Sequence, residues 1–242
     1  MQLNKKRTII AFIALIAIFF GIIFIRFSQE DAQCKLELKP NQRLIDCAFN
    51  EKWLFAIIEE KYVIDIKRNI FIYKREGSSK SAKWEKVAEY DFTTIVPWKI
   101  RIGNIDYTDV PQVIIGVNKS THFDKEVNNR LFVFNWDGEK LYKKWTGTRL
   151  GYYLKDFYII DFLDIKGDEL VVIDKNEEGR ERLLVYYWLD FGFQLLAESE
   201  FYDTIEEVKY LDYNLLELVY KNQDKKASVK LMVKEGQIIE ID

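Results

Sequence analysis

A repeat in the middle of the chain limits its possible folds more than any other feature. Residues 98–145 contain four short β-strand patterns in the order WKIRIGNID, QVIIGV, RLFVFNWDG and KLYKKW. Four patterns of the same kind follow as DFYIIDF, ELVVI, RLLVYYW and FQLLAES. The third strands align at a spacing of 52 residues, which places Arg182 over Arg130 and Trp188 over Trp136. Repeats of about 40 to 50 residues built from short strands are typical of propeller blades.

Two more divergent groups of strand patterns flank this repeat. WLFAII, YVIDI, NIFIYKR and WEKVAEY precede it, and IEEVKYL, LLELVY, SVKLMVK and QIIEI follow it. In RLFVFNW, side chains alternate between two faces, with Phe132 and Phe134 on one side and Val133 on the other. Because both faces are apolar, stacked sheets are favoured over a sandwich with one solvated face. The sequence therefore predicts an all-β fold, a β-propeller or propeller-like repeat of about four four-stranded blades.

The N-terminus has the pattern of a single membrane span. Lys5, Lys6 and Arg7 precede residues 9–25, which contain no charged or polar side chain. A helix of this length nearly crosses a hydrocarbon core of about 30 Å, and the basic residues before it indicate a cytoplasmic N-terminus. We expect a cytoplasmic tail (1–8), an uncleaved transmembrane anchor (9–25), a linker (26–35) and an extracytoplasmic domain (36–242). A cleaved signal peptide and a buried core helix are the alternatives.

Cys34 and Cys47 are the only cysteines and enclose the segment CKLELKPNQRLIDC. The Pro40-Asn41 turn inside it suggests two short strands folded back on each other. In an oxidising compartment, a closely spaced pair of cysteines predicts a disulfide. Two buried free thiols are the alternative.

Composition excludes several classes of function. The chain has 36 basic and 39 acidic residues and no basic stripe, so nucleic acid is not an expected partner. His122 is the only histidine, which excludes two-histidine metal sites and leaves one candidate for a catalytic base. Adjacent acidic pairs such as Glu59-Glu60 point to opposite faces of a strand, and no glycine-rich phosphate loop occurs. We therefore expect no enzyme activity, cofactor or metal.

The segments GNIDYTDVPQVIIGV and DFLDIKGDELVVI resemble the FG-GAP or VCBS-type repeats of integrin-α-like propellers. WDGEKLYKKWTGTRLG resembles the bacterial, membrane-anchored members of this group. The resemblance covers about residues 98–199. It implies a role in binding or scaffolding rather than catalysis.

In that family the repeat loop can hold Ca²⁺. The ligand positions fall on Asn104, Asp106 and Thr108, while Tyr107 and Asp109 stand where the family has glycines. The next repeat has a shorter loop, which puts Ile165 near a ligand position. One carboxylate is a poor set for Ca²⁺, which takes six to eight oxygens, so we expect loops that only turn the chain.

The candidate binding residues lie in two segments. The long loop NKSTHFDKEVNN contains His122, and it matches a K-x-T-x-F...R pattern of the bacterial relatives through Lys119, Thr121, Phe123 and Arg130. The segment KKWTGTRLG offers an aromatic plane and a guanidinium, from Trp145 and Arg149, to a sugar or an anionic group.

Three functions remain open at this point. The first is a membrane-anchored extracytoplasmic module that binds a protein partner through loops on one propeller face. The second is a cell-wall or glycan-binding module. A hydrolase is the third, and it is opposed by the single histidine and by the lack of a recognisable nucleophile.

Overall fold

The computed structural model describes residues 34, 36–77, 83–108, 110–122, 124–147 and 149–241. Lys39–Asp242 forms one compact unit, and every strand lies within it. The all-β prediction is confirmed: over the described residues the only helical segment is a single 3₁₀ turn at Thr93–Ile95.

Sixteen strands run through the described residues in four consecutive groups of four, here called the first to fourth meanders. The first meander contains β1 (Gln42–Phe49), β2 (Trp53–Lys61), β3 (Ile66–Glu76) and β4 (Lys83–Asp91). The second contains β5 (Pro97–Gly103), β6 (Gln112–Lys119), β7 (Asn128–Trp136) and β8 (Leu141–Thr146). The third contains β9 (Tyr153–Ile160), β10 (Glu169–Lys175), β11 (Glu181–Leu189) and β12 (Gly192–Glu198). The fourth contains β13 (Thr204–Asp212), β14 (Leu215–Asn222), β15 (Lys225–Lys234) and β16 (Gln237–Ile241).

Successive strands of each meander pair antiparallel. The first and second meanders are separate four-stranded sheets, whereas the third and fourth join into one eight-stranded sheet. The junction is a single parallel pairing between Glu198 of β12 and Gln237 of β16. β7 and β11 are the third strands of their meanders, as the 52-residue spacing of Arg130 and Arg182 predicts.

Apolar cores lie between consecutive meanders, because the middle strands are apolar on both faces. In β7, Phe132, Phe134 and Trp136 join the core shared with the first meander, while Leu131 and Val133 join the core shared with the third. The predicted alternation of this strand is therefore confirmed. A third core fills the space between the third and fourth meanders, with Val171, Val185, Val208 and Leu218 among its members.

Side-chain bonds link the first strands of successive meanders. Asp46 of β1 accepts hydrogen bonds from the backbone N–H of Ile100 and the guanidinium of Arg101, both at 2.8 Å. Lys99 of β5 pairs with Asp156 of β9 at 2.5 Å. Lys155 of β9 donates to the carbonyl of Ile205 in β13 at 2.8 Å. The four first strands thus form a connected series in chain order.

The first meander differs from its sequence prediction. YVIDI, residues 62–66, was expected to be a strand but forms the exposed tip of the β2–β3 hairpin, apart from its last residue. The strand that takes its place is β1, which begins inside the cysteine segment, where the second of the two suggested short strands was expected. The expected strand before Pro40 is also wrong, since residues 36–39 are not in a strand. The sequence did not assign β1 to the first meander, because β1 alternates weakly and its face is set by pairing with β2.

Cys34 and Cys47 form the predicted disulfide. Among the described residues, none belongs to a helix with the length and apolar character of a membrane span. The predicted span at residues 9–25 lies outside the described residues, as does Phe123.

Candidate binding site

The long loop between β6 and β7 is organised by one carboxylate, that of Asp124. It accepts hydrogen bonds from the Arg130 guanidinium at 2.5 Å and from two nitrogens of Arg149 at 2.5 and 2.9 Å. A second nitrogen of Arg130 donates to the Lys119 carbonyl at 3.0 Å. These bonds connect the loop to β7 and to the segment that follows β8.

Burial explains why this carboxylate is needed. The Arg130 side chain is only 1% exposed, and a guanidinium removed from water requires a charged partner and several acceptors. The hydrogen bonds from Arg149 and then Arg130 hold the pKa of Asp124 well below its usual range. The same carboxylate, with Glu126, raises the pKa of Arg149. Asp124 and Arg149 are therefore both charged over the physiological pH range.

The loop is also fixed by its own backbone. The Thr121 N–H donates to the Asp124 carbonyl at 2.7 Å, and the Asp124 N–H donates to the Thr121 hydroxyl at 3.1 Å. The Glu126 N–H donates to the Asp124 carboxylate at 3.3 Å. A loop held in this way presents its side chains in a defined arrangement before any ligand arrives.

Beside this loop lies a cavity of about 770 Å³. Three aromatic rings line it, those of Phe92, Phe132 and Phe134. Phe92 and Phe134 meet edge to face with ring centroids 5.5 Å apart. Lys119 and Lys143 also line it, and the Lys119 ammonium lies 5.8 Å from the Phe132 centroid. The cavity therefore combines an aromatic surface with basic groups.

Five of the seven candidate residues line this cavity: Lys119, Thr121, His122, Arg130 and Arg149. Trp145 is not among its lining residues. Its ring packs edge to face on Trp188 and Phe193, at centroid distances of 6.4 and 5.3 Å. Five of the predicted residues therefore lie together around one cavity, whereas Trp145 contributes to packing between the second and third meanders.

Sequence reasoning missed Asp124, Phe92 and Lys143. Asp124 lies in the loop that adjoins β7, but its role depends on the burial of Arg130, which only the structure shows. Phe92 follows β4 and reaches the cavity only through the packing of the first meander on the second, which leaves no signal in the sequence.

In the loop that resembles a Ca²⁺ site, a lysine side chain already pairs with the carboxylate. Asp106 forms an ion pair with Lys144 and accepts hydrogen bonds from the Thr108 hydroxyl and the Gln112 amide, both at 2.7 Å. Burial raises the pKa of Asp106, but these partners outweigh it and the pKa is lowered overall. Tyr107 has a φ of 57°, the left-handed conformation that glycine adopts without strain.

Asn104, the remaining Ca²⁺-ligand candidate, connects two meanders instead. Its backbone N–H donates to the Asp168 carboxylate at 2.7 Å, and its carbonyl accepts from the Asp168 N–H at 3.0 Å. Across the described ranges, no group of three or more histidine, cysteine, aspartate or glutamate side chains is arranged to hold a metal ion.

No protein-family model matches the chain, and no curated protein matches it significantly.

Proposed function

We propose that this chain is a membrane-anchored, extracytoplasmic binding module, and that the cavity beside the β6–β7 loop holds its ligand. The observation that carries the proposal is the cavity of about 770 Å³, in which an aromatic surface is bordered by Lys119 and Lys143. Binding pockets of this size typically combine apolar walls with a few fixed polar groups.

The domain is proposed to be a four-bladed propeller or a close variant, related to FG-GAP or VCBS-type repeats. Four antiparallel meanders in chain order, cores between consecutive meanders and linked first strands support this arrangement. In a propeller the first strands line the axis and the loops between strands gather on its faces. The β6–β7 loop then belongs to one such face.

The disulfide supports an extracytoplasmic domain, because disulfides persist in oxidising compartments. Together with the apolar residues 9–25, it is the reason for proposing a cell-membrane protein with a cytoplasmic N-terminus.

The charges indicate what kind of ligand the cavity accepts. Asp124, the carboxylate of the described lining, is already neutralised by Arg130 and Arg149. Lys119 and Lys143 therefore leave the cavity with an excess of positive charge. The matching ligand is an apolar or aromatic group that carries a negative charge, such as an acidic and aromatic segment of a partner protein.

Binding is proposed rather than catalysis for the same reason. A carboxylate that is held by two guanidinium groups and has a lowered pKa is a poor general base. A glycan-binding role has no comparable support, because Trp145 packs on other aromatic rings instead of lining the cavity.

The anilinonaphthalene sulfonate anion, an aromatic ring system with one negative charge, tests the cavity directly. We expect saturable fluorescence enhancement that Lys143→Glu weakens at least tenfold, since the substitution reverses a charge at the lining. Lys225→Glu makes the same charge change at an exposed strand position outside the cavity and serves as the control. Equal weakening by both variants, or by neither, would contradict an anion site here.

A photocrosslinking residue at Thr146, an exposed residue of the cavity lining, tests the function in membranes. We expect one discrete crosslinked product that Lys143→Glu abolishes and Lys225→Glu preserves. A product that persists in Lys143→Glu would show that the cavity is not the binding site.

A further inference from the structure

The tip of the β2–β3 hairpin exposes an unusual set of side chains. Val63 and Ile64 at its apex are 104% and 94% exposed, and Tyr62 and Ile66 beside them are about half exposed. The tip is well formed, because the Tyr62 N–H donates to the Asp65 carbonyl at 2.9 Å. Four apolar or aromatic side chains thus project together from an ordered turn.

The requirements of a tight turn do not explain why apolar residues occupy this position. Turns favour glycine, proline, asparagine, aspartate and serine, which supply special backbone angles or local hydrogen bonds. Two other hairpins follow that rule: the β14–β15 turn is Gln223-Asp224, and the β10–β11 turn contains Asn176 and Gly179. The β11–β12 turn exposes one aromatic residue, Phe191, but not a group of four apolar side chains. Valine and isoleucine at the apex pack against nothing in the described chain, so their apolar character must serve another purpose.

The groups around the tip fit the surface of a lipid bilayer. Lys61 and Lys67 flank it, and the Lys67 ammonium lies 5.7 Å from the Tyr62 ring centroid. The Tyr62 hydroxyl donates to Glu60 at 3.0 Å, a carboxylate that is itself buried and faces the domain. Exposed carboxylates nearby are Asp65, Glu89 and Asp91. Tyrosine and lysine beside short apolar side chains are typical of segments at the membrane interface.

The tip also lies beside the start of β1. The Lys61 N–H donates to the carbonyl of Asn41, which directly precedes β1. Eight residues separate the predicted span, ending at position 25, from Cys34. A fully extended chain of that length reaches at most about 30 Å. Only a short segment therefore separates the predicted span from the disulfide.

We propose that the β2–β3 tip inserts Val63 and Ile64 into the outer surface of the bilayer in which the chain is anchored. The inference rests on the membrane anchorage stated under Proposed function. A protein partner is less suited to this tip, because a specific interface buries about 800 Å² on each side and four side chains on a protruding turn offer far less. Insertion would hold the domain in a fixed orientation on the membrane.

The test uses the full chain with its disulfide intact, reconstituted into vesicles of phosphatidylcholine and phosphatidylglycerol. Val63→Cys is labelled with a nitrobenzoxadiazole fluorophore, and Phe191→Cys, at the exposed β11–β12 turn, is the matched control. We expect the label at position 63 to show a several-fold emission increase, a shift to shorter wavelength and quenching by spin-labelled lipid. The label at position 191 should keep the weak emission of a fluorophore in water and should not be quenched by spin-labelled lipid.

A further variant, Ile64→Asp in the labelled Val63→Cys chain, should restore the aqueous signal without unfolding, because Ile64 contacts solvent. A label at position 63 that reports water while the protein floats with the vesicles would overturn the insertion and leave the anchorage intact. A chain that fails to float with the vesicles would overturn both. A quenched label in the Ile64→Asp variant would also contradict insertion through these apolar side chains.

Discussion

Gln112 and Glu169 occupy equivalent positions at the start of β6 and β10, and each caps the turn that precedes its strand. The Gln112 side-chain carbonyl accepts from the Ile105 N–H at 2.9 Å, and Glu169 accepts from the Phe162 N–H at 3.0 Å. Both acceptors lie seven residues after their donors. Unlike Gln112, Glu169 leaves one buried carboxylate oxygen without a hydrogen bond. A neutral amide therefore does in one meander what an acid does in the next.

The first prediction concerns the pH dependence of stability. Burial raises the pKa of Glu169 to about 7 in the folded chain, above its unfolded value of about 4.3. The stability that this group contributes is fully present below pH 4.3 and is lost as pH rises through 7. Between pH 4 and 8, we expect the free energy of unfolding of Glu169→Gln to rise relative to that of the wild-type chain. The rise should be on the order of 3 kcal/mol, since each pKa unit corresponds to about 1.4 kcal/mol.

Thermal and denaturant unfolding across that pH range measure the effect. Glu178→Gln, the same change at an exposed turn, is the control and should show no such trend. A difference between Glu169→Gln and the wild-type chain that stays constant with pH would refute a raised pKa at this position.

The second prediction concerns the Asp124 carboxylate. Asp124→Asn removes the charge that neutralises the buried Arg130, so we expect a Tm lowered by several degrees and faster proteolysis of the β6–β7 loop. Glu126→Gln changes a side chain that is 77% exposed, so it should alter the Tm and the rate of proteolysis only slightly.

The stability that Asp124 contributes should change in a defined direction as the pH falls. Because the folded pKa of Asp124 is lowered, its contribution is present above the unfolded pKa of about 3.9 and is lost as pH falls through the lower folded value. The gap between the wild-type chain and Asp124→Asn should therefore be constant above about pH 5 and shrink in acid. A gap that widens in acid would be inconsistent with the ion pairs.

The third prediction concerns Gly116 in β6. A Cβ added there would lie 2.7 Å from an atom of the Trp98 ring and 3.0 Å from one of the Phe157 ring, at the interface of the second and third meanders. We expect Gly116→Ala to cost about 1–3 kcal/mol, the usual range for an overfilled core. Gly192→Ala, whose nearest contact would be 3.4 Å, should be close to neutral in the same unfolding measurement. Equal losses of stability in the two variants would show that the rings beside Gly116 move aside more readily than their packing indicates.

The limits of sequence reasoning are visible at individual residues. Leu131 and Phe132 could be assigned to opposite faces because neighbouring side chains of a strand always diverge. The role of Arg130 could be only half predicted: its position on β7 followed from the repeat, but its burial and its partner did not. Residues 62–66 were misread because an apolar run has the same local pattern in a strand and in an exposed turn.

The sequence by itself determined the all-β class, the four groups of strands and the disulfide, because strand alternation, the repeat spacing and a nearby cysteine pair are local properties. Tertiary structure alone decided that Asp124 joins Arg130 to Arg149 and that Phe92 lines the cavity. It also decided that Lys144 pairs with Asp106, 38 residues away. These pairs depend on how one sheet packs on the next, which is settled by the combined burial of many side chains and leaves no periodic mark on the chain.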